Sequence, residues 1–218
     1  MPLPFKLNTS PEHLDNGKWF FPGRIAELDQ FPVTPAGAIV DGDSWRIVKM
    51  QENGELPDGS SLVHPECSAM VKGAEIFVFC RNDRRQVPLA YYSSDFGESF
   101  LGPYSTDLPF VCSKIYSGKL SDGRYYVVGN IPPKEDTGWG TNRSKLALYI
   151  SKKDEWTFEK EYILFDGVDE YEPNAHAWHY PACTEHDGEL HIIFSVNYGH
   201  QRESRRGATL LSIPVADL

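Results

Sequence analysis

Apolar residues in this chain recur in short runs and never at a sustained helical spacing. No window of about 11 residues places apolar side chains at positions i, i+3, i+4 and i+7. Short runs rich in aromatic and β-branched residues, each bounded by turn-forming residues, predict strands at 75–79, 124–128 and 190–194. The 18 glycines and 16 prolines interrupt the chain every few residues, which favours short strands joined by turns. The pattern predicts an all-β chain.

Each of these runs directly follows a glycine turn, at Gly73, Gly123 and Gly188. Two of the turns read Asp-Gly, a strong short-range signal for a β-hairpin. Two further strands are predicted after the hairpins, at 89–93 and 147–151. The unit that these signals describe is therefore a hairpin followed by another strand.

The same features repeat in order along the chain. The glycine turns are 50 and 65 residues apart, and Ser93 and Ser151, which end the two later strands, are 58 residues apart. Segments 64–68 and 180–184 share the order aromatic, Pro, any residue, Cys and hydroxyl residue ahead of a turn. A four-stranded unit repeated every 40 to 60 residues, roughly, is typical of β-propeller blades, and about four would fit here. A β-sandwich, which also has many short strands, remains the alternative.

Residues 93–100 fit the Asp-box pattern S-x-D-x-G-x-S/T-W/F at every fixed position. In such a hairpin the aspartate accepts backbone N–H groups and the glycine takes a positive φ. Residues 151–158 are a degenerate copy that keeps Ser151, a nearby Asp154 and the aromatics but lacks the glycine. We expect Asp95 and Asp154 to be structural. The domain prediction is one propeller over 1–218, with a divergent N-terminal part at 1–60 and Asp-box blades at 61–218.

Charge and composition exclude several classes of protein. Hydrophobic residues make up 40% of the chain, enough for a large core and against global disorder. A net charge of −10 disfavours binding to nucleic acid, which requires clustered Lys and Arg. No uncharged run reaches the roughly 18 apolar residues of a membrane helix. The N-terminus lacks the apolar stretch of a signal peptide, so an extracellular or periplasmic location would require a longer precursor.

The cysteines indicate neither a metal site nor a cofactor. They form no CxxC pair and no zinc-like cluster with histidine, and each stands in an apolar or aromatic stretch, at Cys67, Cys80, Cys112 and Cys183. We expect four small core residues and no cofactor. A metal site formed by His64, His176 and His179 is a weaker alternative.

From about residue 60 to the end, the sequence resembles the sialidase-like, BNR-repeat propellers. The resemblance rests on Glu66, Gly73, Arg81 and the Asp box in one blade, and on the segments 122–123, 130–132, 143–146 and 180–188 in the next two. It implies that Tyr180 is a catalytic nucleophile and Glu66 its base. It also implies that Arg81 and Arg143 are two of three arginines that bind the substrate carboxylate.

The chemistry implied by the resemblance is physically coherent. A neutral phenol avoids the repulsion that a carboxylate nucleophile would meet at the anomeric carbon of an acidic sugar. Because the reference pKa of a phenol is about 10, the nucleophile needs an adjacent base. Arginine suits a carboxylate because its planar donor group binds both oxygens and stays charged.

The N-terminal part departs from the family pattern. Only about 60 residues precede Glu66, whereas sialidases carry the first clamp arginine and an acid/base aspartate in earlier blades. Arg24, Asp29 and the pair Asp41 and Asp43 lie there without the expected spacing, and we assign them no catalytic role.

These residues predict a retaining exo-glycoside hydrolase that acts on an acidic or sialylated glycan. One alternative is a polysaccharide lyase for uronate-containing glycans, in which His64 and Tyr180 serve as a base–acid pair. Another is a glycan-binding propeller without catalysis. His64 and His179 are candidate substrate-binding residues, although His179 and Tyr180 would point to opposite faces of a regular strand. The aromatic segments 19–21, Trp139 and Trp178 fit either sugar stacking or packing between blades.

Overall fold

The computed structural model describes residues 4–26, 32–83, 87–132, 143–167, 176–198 and 205–218. Apart from one 3-10 turn at Val215–Asp217, the regular elements in these ranges are all strands, which confirms the all-β prediction. The chain divides into two compact units, Met1–Leu108 and Pro109–Leu218. Within the described ranges, each unit contains two antiparallel sheets.

The first unit begins with a sheet built from the N-terminal part of the chain. Its order is β1-β3-β4-β5, and β2 pairs with β3. The second sheet has the order β6-β7-β8-β9. The strands are β1 (Phe5–Leu7), β2 (Glu12–His13), β3 (Trp19–Ile25), β4 (Thr34–Asp41), β5 (Ser44–Lys49), β6 (Cys67–Lys72), β7 (Glu75–Cys80), β8 (Leu89–Ser93) and β9 (Leu101–Ser105).

The second unit contains a four-stranded sheet, β10-β11-β12-β13, and a sheet with the order β14-β15-β16. The strands are β10 (Tyr116–Lys119), β11 (Tyr125–Ile131), β12 (Lys145–Ser151), β13 (Phe158–Asp166), β14 (His176–His186), β15 (Glu189–Tyr198) and β16 (Arg205–Pro214). Consecutive antiparallel strands in four separate sheets are the four blades expected of a sialidase-type β-propeller.

The predicted hairpins are confirmed. Gly73, Gly123 and Gly188 lie at the turns between β6 and β7, β10 and β11, and β14 and β15, and each has a positive φ, of 61°, 95° and 76° respectively. That region of backbone conformation favours glycine because other residues would place a Cβ against the backbone.

Each unit has its own hydrophobic core, formed between its two sheets. In the first unit, Phe20 and Ile39 of the first sheet pack in one cluster with Ile76, Val78 and Tyr91 of the second. In the second unit the central cluster combines alternating residues of β11, β12 and β15: Tyr126, Val128, Leu146, Leu148, Ile150, Leu190, Ile192 and Phe194. Alternation along each strand therefore supplies the packing between neighbouring blades.

The Asp box at 93–100 has the structural role that its pattern predicts. The Asp95 carboxylate accepts hydrogen bonds from the Ser93 hydroxyl (2.7 Å) and from the backbone N–H and hydroxyl of Ser99 (3.0 and 2.6 Å). Gly97 has φ of 79°, and a Cβ there would also lie 3.1 Å from Ile76. Partial burial opposes ionisation of Asp95, but the bonds from Ser99 and Ser93 outweigh it and lower the pKa of the carboxyl.

In the degenerate copy, the aspartate has moved to a different part of the turn. Asp154 takes φ of 56° and its backbone N–H donates to the carbonyl of Gly123, at 2.9 Å. Its counterpart in the complete box is Phe96, which has φ of 58° and donates to Ala74 at 2.9 Å. Asp154 is therefore a turn residue, and Lys153 stands where the box aspartate would be.

Candidate functional site

Glu66 and Arg81 form a close ion pair in the first unit. They flank the first pair of residues in the β6–β7 ladder, and the backbone N–H of Arg81 donates to the carbonyl of Glu66 at 3.0 Å. Arg81 Nη1 lies 2.9 Å from Glu66 Oε2, and both side chains are largely buried. The predicted base and the predicted clamp arginine are thus brought together by strand register.

Asp83 is a member of this cluster that the sequence did not single out. Its Oδ1 lies 3.3 Å from Arg81 Nε, and its Oδ2 accepts the backbone N–H groups of Val63 (3.0 Å) and His64 (2.6 Å). It fixes the Arg81 guanidinium and the chain just before Glu66. With two carboxylates on one guanidinium, the cluster has a formal charge of −1 when all three groups are ionised.

His64 lies at the exposed edge of the same cluster. Its Nδ1 is 3.6 Å from Asp83 Oδ1, and about half of its side chain is exposed. The neighbouring Arg84 and Arg85 lie outside the described residues, as do Asp29 and Trp139, and the side chain of His176 is not described either. Within the described ranges, no group of three or more His, Cys, Asp or Glu residues could hold a metal ion.

Tyr180 lies in a distorted part of β14 in the second unit. The pairing of β14 with β15 shifts register between His179 and Ala182, and Tyr180 has φ of 56°. A positive φ is rare for a bulky residue and is found mainly where the surrounding structure imposes it, often at functional sites. The side chain is 39% exposed, so the strain presents a phenol to solvent.

The register shift changes the expected relation between His179 and Tyr180. On a regular strand the two rings would point to opposite faces, but here their centroids are 4.9 Å apart in an edge-to-face contact. His179 is buried whereas Tyr180 is exposed. This arrangement favours a role for His179 in positioning the Tyr180 ring.

Arg143 lies against the same tyrosine. Its guanidinium carbon is 5.2 Å from the centroid of the Tyr180 ring, a cation–π distance, and its Nη2 donates to the carbonyl of Cys112 at 3.3 Å. Its Nε is buried without a hydrogen-bond partner, and the described residues include no carboxylate paired with it. A buried guanidinium N–H without a partner is energetically unfavourable, and a carboxylate is the acceptor that arginine binds most strongly.

Asn130 holds these two segments of the second unit together. Its buried Nδ2 donates to the carbonyls of Arg143 (3.3 Å), Lys145 (3.0 Å) and Trp178 (2.5 Å). The backbone N–H of Trp178 also donates to the carbonyl of Arg143, at 3.0 Å. In the sequence, Asn130 stands out only as part of the segment 130–132 that resembles the sialidase-like propellers. Its three acceptors lie in separate parts of the chain and come together only in the folded sheets.

Arg24 is the second arginine with buried donors that lack partners. It lies in β3, where both Nε and Nη1 are buried without a hydrogen bond from the described residues. No catalytic role was assigned to Arg24 from the sequence, because its spacing does not follow the family pattern. Spacing along the chain could not reveal this burial.

The aromatic segments divide between packing and exposure. Phe20 is fully buried in the core, and Trp178 stacks on Phe165 with centroids 4.9 Å apart. Trp19 and Trp45 are 43% and 53% exposed on the outer face of the first sheet. No helix in the described part of the chain is long and apolar enough to span a membrane.

The fold and the repeated hairpins define a sialidase-type β-propeller. A family model described as BNR repeat-like domain matches residues 6–192, so the chain belongs to the BNR repeat-like domain family. No curated protein matches the chain.

Solved structures show the same fold at low identity. A Trypanosoma rangeli sialidase mutant that displays trans-sialidase activity aligns with a TM-score of 0.62 and 13% identity, over 94% of this chain and 30% of the sialidase. A PL25 ulvan lyase aligns with a TM-score of 0.63 and 11% identity, over 99% of this chain and 53% of the lyase. An endo-arabinase from Bacteroides thetaiotaomicron aligns with a TM-score of 0.60 and 11% identity, over 98% and 78%. The chain thus spans about a third of the sialidase and half of the lyase.

Proposed function

We propose that this chain acts on an acidic or sialylated glycan as a retaining exo-glycoside hydrolase, with Tyr180 as nucleophile. The observation that carries the proposal is the environment of Tyr180, an exposed phenol in a strained backbone with an arginine against its ring. The arginine has no carboxylate partner among the described residues, so an acidic sugar bound there would bring its own negative charge to the phenol.

Each catalytic role follows from a separate physical need. The phenol of Tyr180 attacks the anomeric carbon and forms a covalent glycosyl intermediate, while a base accepts the phenolic proton. Water then hydrolyses the intermediate with net retention of configuration. Arg81 orients Glu66 through their 2.9 Å ion pair.

The arginines divide into two kinds. Arg143 has a buried N–H group without a partner among the described residues and is the better candidate for binding a substrate carboxylate beside Tyr180. Arg81 already contacts two carboxylates, so its contribution is chiefly to place Glu66.

Release of a fluorescent aglycone from sialic acid and glucuronic acid glycosides tests the proposal. Tyr180→Phe should lower kcat by about a hundredfold or more, because the nucleophilic oxygen is gone. Tyr104→Phe is the matched control, since Tyr104 is 50% exposed and has no assigned role. Equal kcat for Tyr180→Phe and the unmodified chain would overturn the assignment of the nucleophile.

Arginine variants test the nature of the substrate. Arg143→Ala should raise KM for an acidic glycoside at least tenfold, with a smaller change for its methyl ester, because only the acid gains from the guanidinium. Arg46→Ala is the control, since Arg46 is exposed and pairs with Glu98. The same KM ratio for acid and ester in all three proteins would contradict carboxylate recognition.

A lyase is the second candidate, favoured by the contact between His64 and Asp83. A carboxylate beside one ring nitrogen can orient the imidazole as a base. A lyase would generate an unsaturated uronate that absorbs in the ultraviolet, and His64→Ala would abolish that signal. Saturable binding of the same glycans without either product would instead identify a glycan-binding propeller.

A further inference from the structure

Cys67 and Cys80 face each other across two neighbouring strands of the first unit. They are register partners in the antiparallel pair β6–β7, and both are fully buried and free. They also lie immediately beside the Glu66–Arg81 ion pair, one residue further into the ladder. The other two cysteines, Cys112 and Cys183, belong to the second unit.

The backbone hydrogen bonds identify the kind of cross-strand pair. The N–H of Cys67 donates to Asn8 Oδ1 at 3.0 Å, and its carbonyl accepts the Thr9 hydroxyl at 3.2 Å. The strand-to-strand bond lies one step earlier, from Arg81 N–H to the Glu66 carbonyl. Cys67 and Cys80 are therefore a non-hydrogen-bonded pair, in which Cα atoms are about 4.5 Å apart and side chains approach most closely.

That geometry lies within the range of a disulfide, for which Cα separations of roughly 4.4 to 6.8 Å are usual. Burial and then the Cys67 thiol raise the pKa of the Cys80 thiol. A thiol with a raised pKa and no access to solvent reacts slowly in the folded chain. Oxidation is therefore expected while the strands are forming or transiently open.

We propose that Cys67 and Cys80 form a reversible cross-strand disulfide when the chain folds in the presence of a low-molecular-weight disulfide. One cysteine thiolate attacks a sulfur of the reagent, which forms a mixed disulfide and releases one reagent thiol. The second cysteine thiolate then attacks the protein sulfur of that mixed disulfide and releases the second reagent thiol. Both protein thiols are oxidised, and one reagent disulfide is reduced to two thiols.

The cross-link would tie β6 to β7 at the end of the ladder that carries Glu66 and Arg81. It restrains the two strands at the point where the ion pair depends on their register. The proposed modification does not depend on the catalytic proposal, because its product is detected chemically.

The test is to fold the reduced, denatured chain in glutathione disulfide, block free thiols with N-ethylmaleimide and digest with trypsin. Trypsin cleaves after Lys72, between the two cysteines, so the disulfide appears as two joined peptides with two hydrogens fewer. We expect joined peptides containing Cys67 and Cys80, separable by dithiothreitol, and blocked thiols at Cys112 and Cys183.

Variants provide the controls. The double variant Cys112→Ala/Cys183→Ala should keep the joined peptides, and Cys67→Ala should lose them. Blocked thiols at both Cys67 and Cys80 after oxidative folding of the unmodified chain would overturn the proposal. A cross-link from either of them to Cys112 or Cys183 would overturn it as well.

Discussion

Glu12 and Arg24 are ionisable side chains of the first unit with buried polar atoms that have no partner among the described residues. Glu12 lies on β2 opposite the fully buried Phe20, and the described residues give its carboxyl neither a hydrogen bond nor an ion pair. Burial raises its pKa to about 8. Both residues reduce the stability of the fold, and each effect can be measured separately.

Because the pKa of Glu12 is raised in the fold, we expect the free energy of unfolding to fall as the pH rises. The unfolded carboxyl ionises near 4.5 whereas the folded one stays protonated up to about 8, so unfolding releases a proton between these values. Glu12→Gln should remove this loss and raise the free energy of unfolding at pH 7 by at most about 3 kcal/mol. Urea unfolding of Glu12→Gln and of the unmodified chain at pH 4 and pH 7 measures this gain in the free energy of unfolding. Equal gains at the two pH values would contradict the explanation.

For Arg24, we expect that removing the guanidinium stabilises the fold. Arg24→Met should raise the free energy of unfolding by about 1 kcal/mol or more, because it removes two buried N–H groups that have no partner among the described residues. Arg124→Met is the control, because Arg124 bonds to Asp122 and to the carbonyl of Val215 and its loss should destabilise. Destabilisation by both variants would contradict this prediction.

At the scale of elements, the two Asp-box hairpins allow a matched comparison. Asp95→Asn should lower the free energy of unfolding by about 1 kcal/mol or more, because the carboxylate accepts three hydrogen bonds within its turn. Asp154→Asn should change it by less than about 0.5 kcal/mol, since asparagine tolerates a positive φ. Chemical denaturation of both variants measures the difference, and equal losses would contradict it.

The pH dependence of the same variants gives a second check. The pKa of Asp95 is lowered in the fold, so its contribution is present above the unfolded pKa and lost as the pH falls through the folded pKa. Asp95→Asn should therefore converge on the unmodified chain in acid.

At the scale of the whole molecule, each unit has its own core, so we expect a core mutation to destabilise mainly the unit that contains it. Leu148 is fully buried in the cluster of the second unit, and Leu148→Ala should cost about 2–5 kcal/mol. Hydrogen exchange should accelerate in β11 and β15 more than in β7. Ile76→Ala, in the first unit's cluster, should give the reverse order. Uniform acceleration in both variants would show that the units open together.

The net charge is also a property of the whole molecule. A net charge of −10 opposes the approach of any anionic glycan, so binding of the proposed substrate would depend on local guanidinium groups. Arg143 is the proposed group, because its buried Nε has no partner among the described residues.

Most of the fold was predictable because hairpins are local. The short apolar runs, the glycine turns and the Asp box depend on residues near one another in sequence, and the strands and turns that they predict are present. The resemblance to sialidase-like propellers is confirmed by the match to the BNR repeat-like domain family over residues 6–192. The assigned roles of Tyr180, Glu66, Arg81, Arg143, His64 and His179 remain predictions.

The sequence by itself determined the class of fold, since strand period and turn chemistry act over a few residues. Tertiary structure decided what each candidate side chain contacts. The bulge at Tyr180 turned its ring toward His179, Asp83 joined Arg81, and Asn130 linked three carbonyls from two strands and a preceding loop. These contacts join residues 2 to 48 positions apart in sequence or depend on a local backbone distortion. Burial and hydrogen bonding at such positions are properties of the folded chain, and no periodicity encodes them.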